Sequence, residues 1–262
     1  MDEGRISDKE WLRYERQMLI RGWDRDVQER LKRATVFVAG AGGLGGPVLL
    51  YLALAGVGIL RICDRDLVEP SNLNRQILHT GQRVGMRKTD SAETALLEAN
   101  PFVQVSKRYA ALTAENAGEI VGDADVIMDC LDNFEARHVL NRLSVRKRIP
   151  LIHAGVSGLR GQITFLQPPE TPCLRCLFPI ADPSGAVPIV GCTAGVLGTL
   201  QAAECIKYLT GQGQVLRNRL LLWDGETMEF HEAGVERNPE CPVCGDRSAR
   251  PAGPVIPSPS PA

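Results

Sequence analysis

Net charge is almost absent. The 262 residues carry 30 Lys and Arg against 31 Asp and Glu, a formal charge of −1. That balance offers no general attraction to nucleic acid or to an anionic membrane surface. An apolar leader is also missing: the opening MDEGRISDKE is charged and has no hydrophobic core, so it is not a secretory signal. Histidines number four. His138, His153 and His231 show no metal-ligand spacing, and His79, in QILHTG, reads as a satisfied structural histidine. No internal repeat stands out. One stretch, residues 34–60, is free of charge and long enough to span a bilayer. It also holds seven glycines and Pro47, so a strand, a glycine loop and a buried helix account for it better than a membrane span.

What is present begins with a core. Apolar residues make up 44% and charged residues 23%, ordinary for a protein that buries a sizeable interior. Eight cysteines, at 63, 130, 173, 176, 192, 205, 241 and 244, occur without a leader. They are expected to be thiols or metal ligands, and a cytoplasmic setting follows.

Strands and helices alternate along the chain. SDKE (7–10) has capping-box form, opening a helix through EWLRYERQMLIRG that stops near Gly22. TVFVA (35–39), ILRIC (59–63), VQVSKRY (103–109), DVIMDC (125–130), PLIHAG and GQITFLQ read as strands. VLLYLALAG, KTDSAETALLEAN (88–100), NFEARHVLNRLSVRKR and TAGVLGTLQAAECIKYLTG (193–211) read as helices. RLLLWD and ETMEFHE, with Gly225 between them, form a closing hairpin. The expected fold is Rossmann-like α/β, with a mainly parallel sheet, helices on both faces and C-terminal strands. One domain, 1–247, is expected, with a nucleotide-binding half (about 34–150) and a second half (about 151–247). The Pro-rich segment 248–262 reads as a disordered tail.

VFVAGAGGLG is a strand, then G-x-G-x-x-G, then a helix. Gly40, Gly42, Gly43 and Gly45 let the backbone turn sharply and approach a phosphate, where the helix N-terminus offers free N–H groups. Asp64, nineteen residues after Gly45, stands where an acid binds ribose hydroxyls. The following loop, SNLNRQ from Ser71 through Asn72 to Arg75, has no evident use in hydride transfer. Two asparagines can fix the loop by hydrogen bonding. Arg75 offers a bidentate phosphate contact, and Lys88 a point charge. Asp132–Asn133 follows a buried strand, so Asp132 falls at the ligand edge of the sheet, able to hold magnesium there or to cap the next helix.

CLRC (Cys173, Cys176) and CPVC (Cys241, Cys244) supply four thiolates, the donor set of a closed, structural zinc site. Their separation means that the metal staples distant segments. Cys63, Cys130 and Cys205 lie in apolar contexts and read as core. Cys192 precedes a helix, whose N-terminus lowers a thiol's pKa, and reads as a small packing residue.

Together RYERQ, GAGGLGG, DRDLVEPSNLNRQ, VGMRK, DCLDN, GTLQAAECIKYLTG and the paired CxxC motifs resemble the ubiquitin-activating-like adenylyltransferases, the MoeB/ThiF/HesA family. The resemblance runs from about Arg13 to Gly245. It implies that ATP and magnesium are bound and that the C-terminal glycine of a ubiquitin-fold sulfur carrier ending in Gly-Gly, of molybdopterin or thiamine type, is adenylated with release of pyrophosphate. It implies that Gly43 and its loop line the nucleotide, that Asp64 holds the ribose, that Asn72, Arg75 and Lys88 contact phosphates, and that Asp132 supports magnesium. It implies that Arg16 reaches the partner subunit's ATP site in a homodimer. Some relatives carry a carrier-capturing cysteine; counted back from GTLQ it falls at Ser184 here, so no covalent step is assigned. No rhodanese-like segment follows Gly245, and a separate sulfur-donor protein is expected.

Three other readings compete. An NAD-dependent oxidoreductase with structural zinc explains the glycine loop and Asp64 but leaves Arg75, Lys88 and Asp132 idle. A non-catalytic scaffold for a ubiquitin-fold partner leaves the whole ATP set idle. Activation for conjugation to targets, or for a specialised biosynthesis, rests on Cys192 alone.

Overall fold

The structure is a computed structural model and describes residues 4–179 and 188–246. Helices α1 (Asp8–Met18) and α2 (Arg25–Arg33) precede strand β1 (Thr35–Ala39). Then follow α3 (Gly45–Ala55), β2 (Ile59–Asp64), α4 (Lys88–Ala99), β3 (Gln104–Tyr109), α5 (Ala117–Val121), β4 (Val126–Asp129) and α6 (Phe134–Lys147). The chain continues through β5 (Leu151–Ser157), β6 (Arg160–Leu166), α7 (Leu174–Leu177), α8 (Gly191–Thr210), β7 (Arg219–Asp224) and β8 (Glu229–Gly234).

All eight strands form one sheet in the order β3-β2-β1-β4-β5-β6-β7-β8. The first five are parallel, and β6, β7 and β8 extend the sheet in antiparallel sense. The expected Rossmann-like α/β fold is therefore present. Period-two alternation sends successive side chains to opposite faces. Val36, Val38, Leu60, Ile62 and Met128 enter the larger core with residues of α3 and α8. Phe37, Ala39, Cys63 and Ile127 enter the other core with residues of α5 and α6.

The chain winds outward from β1 to β3, then returns to place β4 on the other side of β1. The crevice between the carboxyl ends of β1 and β4 is thus a topological switch point, the usual ligand position in such sheets. Register brings those ends level: Ala39 pairs with Cys63 on one side and Asp129 on the other.

Helices α2, α5 and the one-turn α7 were not foreseen. In α2 the only apolar residues are Val27 and Leu31, one helical turn apart, and the charges around them mask that stripe. Asp24 caps it by accepting from the Val27 N–H at 3.0 Å. The short α5 is closed by Gly122. The capping box at Ser7 and Glu10 forms as read. Residues 34–60 fold as strand, loop, helix and strand, and no helix among the described residues is long and apolar enough to cross a membrane. Ser184 and the 248–262 segment lie outside the described residues.

Candidate active site

The glycine loop leaves β1 through Gly40, whose φ of +94° is the left-handed region that glycine tolerates. A Cβ there would also stand 2.7 Å from the Cys130 carbonyl. The loop is braced from three sides. Gly40 N–H donates to Cys63 O at 2.8 Å. Asp64 Oδ2 accepts from Ala41 N–H at 2.8 Å. His79, buried, holds Ala41 O through Nε2 at 2.9 Å and Ser91 Oγ through Nδ1 at 2.8 Å. Burial pushes the His79 pKa down, so the ring is neutral. It is the satisfied structural histidine that the sequence suggested, and its task is to hold this loop.

A cleft of about 1480 Å³ opens beside the loop. Of the residues singled out in the sequence, Gly40, Gly42, Gly43, Asp64, Arg75, Lys88, Asp132 and Asn133 line it. Gly45, Ser71, Asn72 and Arg16 do not. Gly45 opens α3 behind the loop, with no room for a Cβ against the Gly40 carbonyl. Asn72 is buried and fixes its own loop, its Oδ1 accepting from Glu69 N–H at 3.1 Å. Arg16 is exposed on α1.

Two of the cations lining the cleft are those singled out in the sequence. Lys88, the first residue of α4, is buried, and its Nζ lies 2.9 Å from Asp66 Oδ2. Arg75 is held by its own loop through Nη1, which donates to Ser71 O at 2.9 Å and Asn74 Oδ1 at 3.0 Å. Asp132 is exposed, and its Oδ1 accepts from Asn133 Nδ2 at 3.3 Å. The cap of α6 is Asn133, through Ala136 N–H at 3.0 Å. Asp132 is thus relieved of the capping role that its position also allowed.

A buried charge network beneath the cleft was missed. Asp129, at the end of β4, is fully buried. Its Oδ2 accepts from His153 Nδ1–H at 2.7 Å, and its Oδ1 lies 3.7 Å from Arg137 Nε. Burial opposes ionisation of Asp129, but the Arg137 charge and the His153 hydrogen bond outweigh it and hold the carboxyl below its ordinary value. Burial pushes His153 down, keeping the ring neutral. The three residues come from β4, α6 and β5, so no local spacing announces them.

The four CxxC thiols converge, all Sγ atoms lying within 4.8 Å of one another. Three Sγ–Sγ separations are 3.9, 3.7 and 3.5 Å. A tetrahedron with metal–sulfur arms of about 2.3 Å has edges near 3.8 Å, so the cluster fits a metal ion. Asn141 Nδ2 donates to Cys173 Sγ at 3.6 Å, and α6 thereby orients one ligand. Burial pushes the Cys173 thiol up to about 11. At Cys241 burial has the same sense, but backbone N–H groups of Cys244 and Val243 outweigh it and bring the thiol down to about 7.

Cys63, Cys130 and Cys205 are buried as expected, the first two bordering the cleft. Cys192 corrects its reading: it is exposed in the first turn of α8, and packs into no core. The residues on either side, Gly191 and Thr193, are the ones turned toward the protein, Gly191 lying close against the Asn74 carbonyl.

Switch-point crevice, glycine loop, ribose-position acid and paired cations together define a nucleotide-binding α/β protein with a four-cysteine cluster able to hold a metal ion. The chain belongs to the ThiF family, whose pattern it matches over residues 14–243. It is 43% identical over 253 residues to the sulfur carrier protein adenylyltransferase of Thermus thermophilus, covering 92% of this chain and 93% of that one. It is 40% identical over 240 residues to the SAMP-activating enzyme E1 of Haloferax volcanii, covering 89% and 88%. The adenylyltransferase and sulfurtransferase MOCS3 of Culex quinquefasciatus is 41% identical over 249 residues, and this chain spans 57% of its length. Among solved structures, E. coli MccB in complex with N-formylated MccA superposes with a TM-score of 0.82 at 28% identity, covering 89% of this chain and 75% of that one. E. coli MccB with ATP gives 0.77 at 27% identity, covering 84% and 69%.

Proposed function

We infer that the cleft performs adenylyl transfer. The chain is an ATP-dependent adenylyltransferase acting on the C-terminal glycine of a ubiquitin-fold sulfur-carrier protein. The observation that carries this reading is the convergence of Arg75, Lys88 and Asp132 with the glycine loop in one cleft, in a chain 43% identical to a sulfur carrier protein adenylyltransferase. The carrier's carboxylate oxygen attacks the α-phosphorus. A new C–O–P linkage forms, the bond from the α-phosphorus to the bridging oxygen breaks, and its electron pair leaves with pyrophosphate. Such a transfer needs in-line positioning and a positive field more than covalent help from the protein.

Each residue then has a task. The Gly40–Gly43 turn admits the phosphates closely, and Asp64 takes the ribose hydroxyls. Arg75 and Lys88 neutralise charge at the phosphates. Asp132, open to the cleft, offers the hard oxygen ligand that suits magnesium. When bound, magnesium adds further neutralisation of the phosphate oxygens. Asn72 and Ser71 shape the loop that presents Arg75. Arg16, exposed and absent from its own cleft, serves the site of a second copy in a homodimer in this reading. Exposed Leu12, Leu19 and Ile20 on and beside the same helix support that reading. Sulfur comes from a separate donor protein, and the setting is cytoplasmic.

The metal of the four-cysteine cluster is zinc in this reading, with a structural role because all four positions are thiolates. Metal analysis of the purified chain is expected to give one zinc per chain. Its removal with a strong chelator should cost more than about 4 kcal/mol of stability in denaturant titrations, among the largest single-site losses. A metal-free chain of unchanged stability would contradict this.

The competing oxidoreductase reading shares the glycine loop and Asp64 but has no use for the cations. Calorimetric titration decides between them. Binding of ATP at least tenfold tighter than NAD is expected, because only ATP presents a triphosphate to Arg75 and Lys88. Binding of NAD without ATP would sink the adenylation reading.

A further inference from the structure

The cleft extends well past the nucleotide end. Strand register puts Gly155, Gln162, Leu222 and His231 in one cross-strand row over β5, β6, β7 and β8. All four line the cleft. At the inner end of this row stands Gly155, and its missing side chain leaves a narrow notch in the cleft wall, where even a Cβ would press on the Gln162 amide. A Cβ there would lie 3.2 Å from Gln162 Nε2 and 3.7 Å from Arg137 Nη1. The notch is therefore walled by two N–H donor groups.

Neither group is used up by the fold. Arg137 is 7% exposed, and its two hydrogen bonds, to Leu131 O and Ala154 O, both use Nη2. Its Nε is buried without a hydrogen-bond partner. The nearest counter-charge, Asp129, stands 3.7 Å from Nε rather than at Nη1. The Gln162 amide makes no hydrogen bond to another described residue. A buried guanidinium with one arm beside a free amide at the wall of the cleft is a carboxylate-receiving arrangement. It also lies in the right place: Leu131, which anchors Nη2, immediately precedes Asp132.

We propose that Arg137 Nη1 and Gln162 Nε2 receive the terminal carboxylate of the carrier in the Gly155 notch and hold one of its oxygens while the other faces the α-phosphate. This rests on the adenylation reading and adds to it the two groups that position the attacking end. The absence of a side chain at 155 fits an occupant that is itself a glycine terminus, since any Cβ would fill the notch from the protein side.

The test uses the full chain with a Gly-Gly-ending ubiquitin-fold carrier that supports exchange by the wild type, and the same carrier ending in a carboxamide. The variants are Gln162→Leu and Gly155→Ala, with Arg137→Lys as a third whose folding is checked by urea titration. The wild type should bind the carboxylate carrier about tenfold or more tighter than the carboxamide, the worth of one charge-assisted hydrogen bond. In Gln162→Leu and Gly155→Ala that preference should fall below about threefold, and the carrier KM in ATP–pyrophosphate exchange should rise about tenfold. ATP binding without carrier should stay within about twofold, because the notch lies outside the nucleotide contacts. An unchanged carboxylate preference in both variants overturns the proposal while the adenylation reading stands. A wild type that exchanges with no Gly-Gly carrier overturns both.

Discussion

Lys88→Ala should lower carrier-dependent ATP–pyrophosphate exchange by about 10²- to 10³-fold, the usual loss on removing one preorganised charge from a transition state. Lys88 is buried, sits at the start of α4, and is held 2.9 Å from Asp66. Its position is therefore set before any nucleotide arrives, which is what makes a fixed charge effective. Asp66 is half exposed, so deleting its partner leaves that carboxylate in contact with water, and the fold should survive. A Lys88→Ala chain with wild-type melting behaviour and wild-type exchange would remove Lys88 from the chemistry. Asp66→Asn gives a finer test: it frees the ammonium without deleting it, so the loss should be much smaller than in Lys88→Ala.

Asp129→Ala should destabilise the chain by about 3–5 kcal/mol, the usual cost of stripping one partner from a buried ion pair. The change strands the Arg137 charge and leaves His153 Nδ1–H without its acceptor. Urea titration measures it, and a loss below about 1 kcal/mol would contradict the network. His153 and Asp129 of this network, with His79, set the acid response of the wild type. His153 and His79 have folded pKa values lowered from 6.5, so the unfolded chain takes up their protons first as pH falls. Their stabilisation is complete above about pH 6.5 and erodes below it, by up to about 1.4 kcal/mol per pH unit for each ring. Asp129, lowered from 3.8, adds stability above that value that is lost only as pH falls further, through its folded value. Stability should therefore begin to fall near pH 6.5 rather than near 4.

Local spacing carried much of the site into view. The glycine loop, Asp64 and the CxxC pairs are legible because strand, turn and helix constrain neighbours in the chain, and zinc-type cysteine pairs repeat a fixed interval. The Asp129–His153 bond joins residues 24 apart on adjacent strands, and Arg137 reaches them from α6, so nothing short of the sheet register reveals it. Helix α2 escaped because its apolar stripe is two residues wide in a run of charges. Cys192 was read as a small packing residue ahead of a helix. The rotation of α8 instead turns Thr193 and Ala194 inward and leaves the thiol outside. Asp132 was open between holding magnesium and capping the next helix, and only the backbone path shows that Asn133 caps and Asp132 lines the cleft.

The most direct test is ATP–pyrophosphate exchange by the purified chain with ubiquitin-fold carriers ending in Gly-Gly, with Asp132→Ala beside the wild type. Exchange that requires both carrier and ATP, and that disappears in Asp132→Ala, is the predicted result. ATP binding with no exchange for any such carrier would contradict adenylation and leave the chain as a binder of nucleotide and partner.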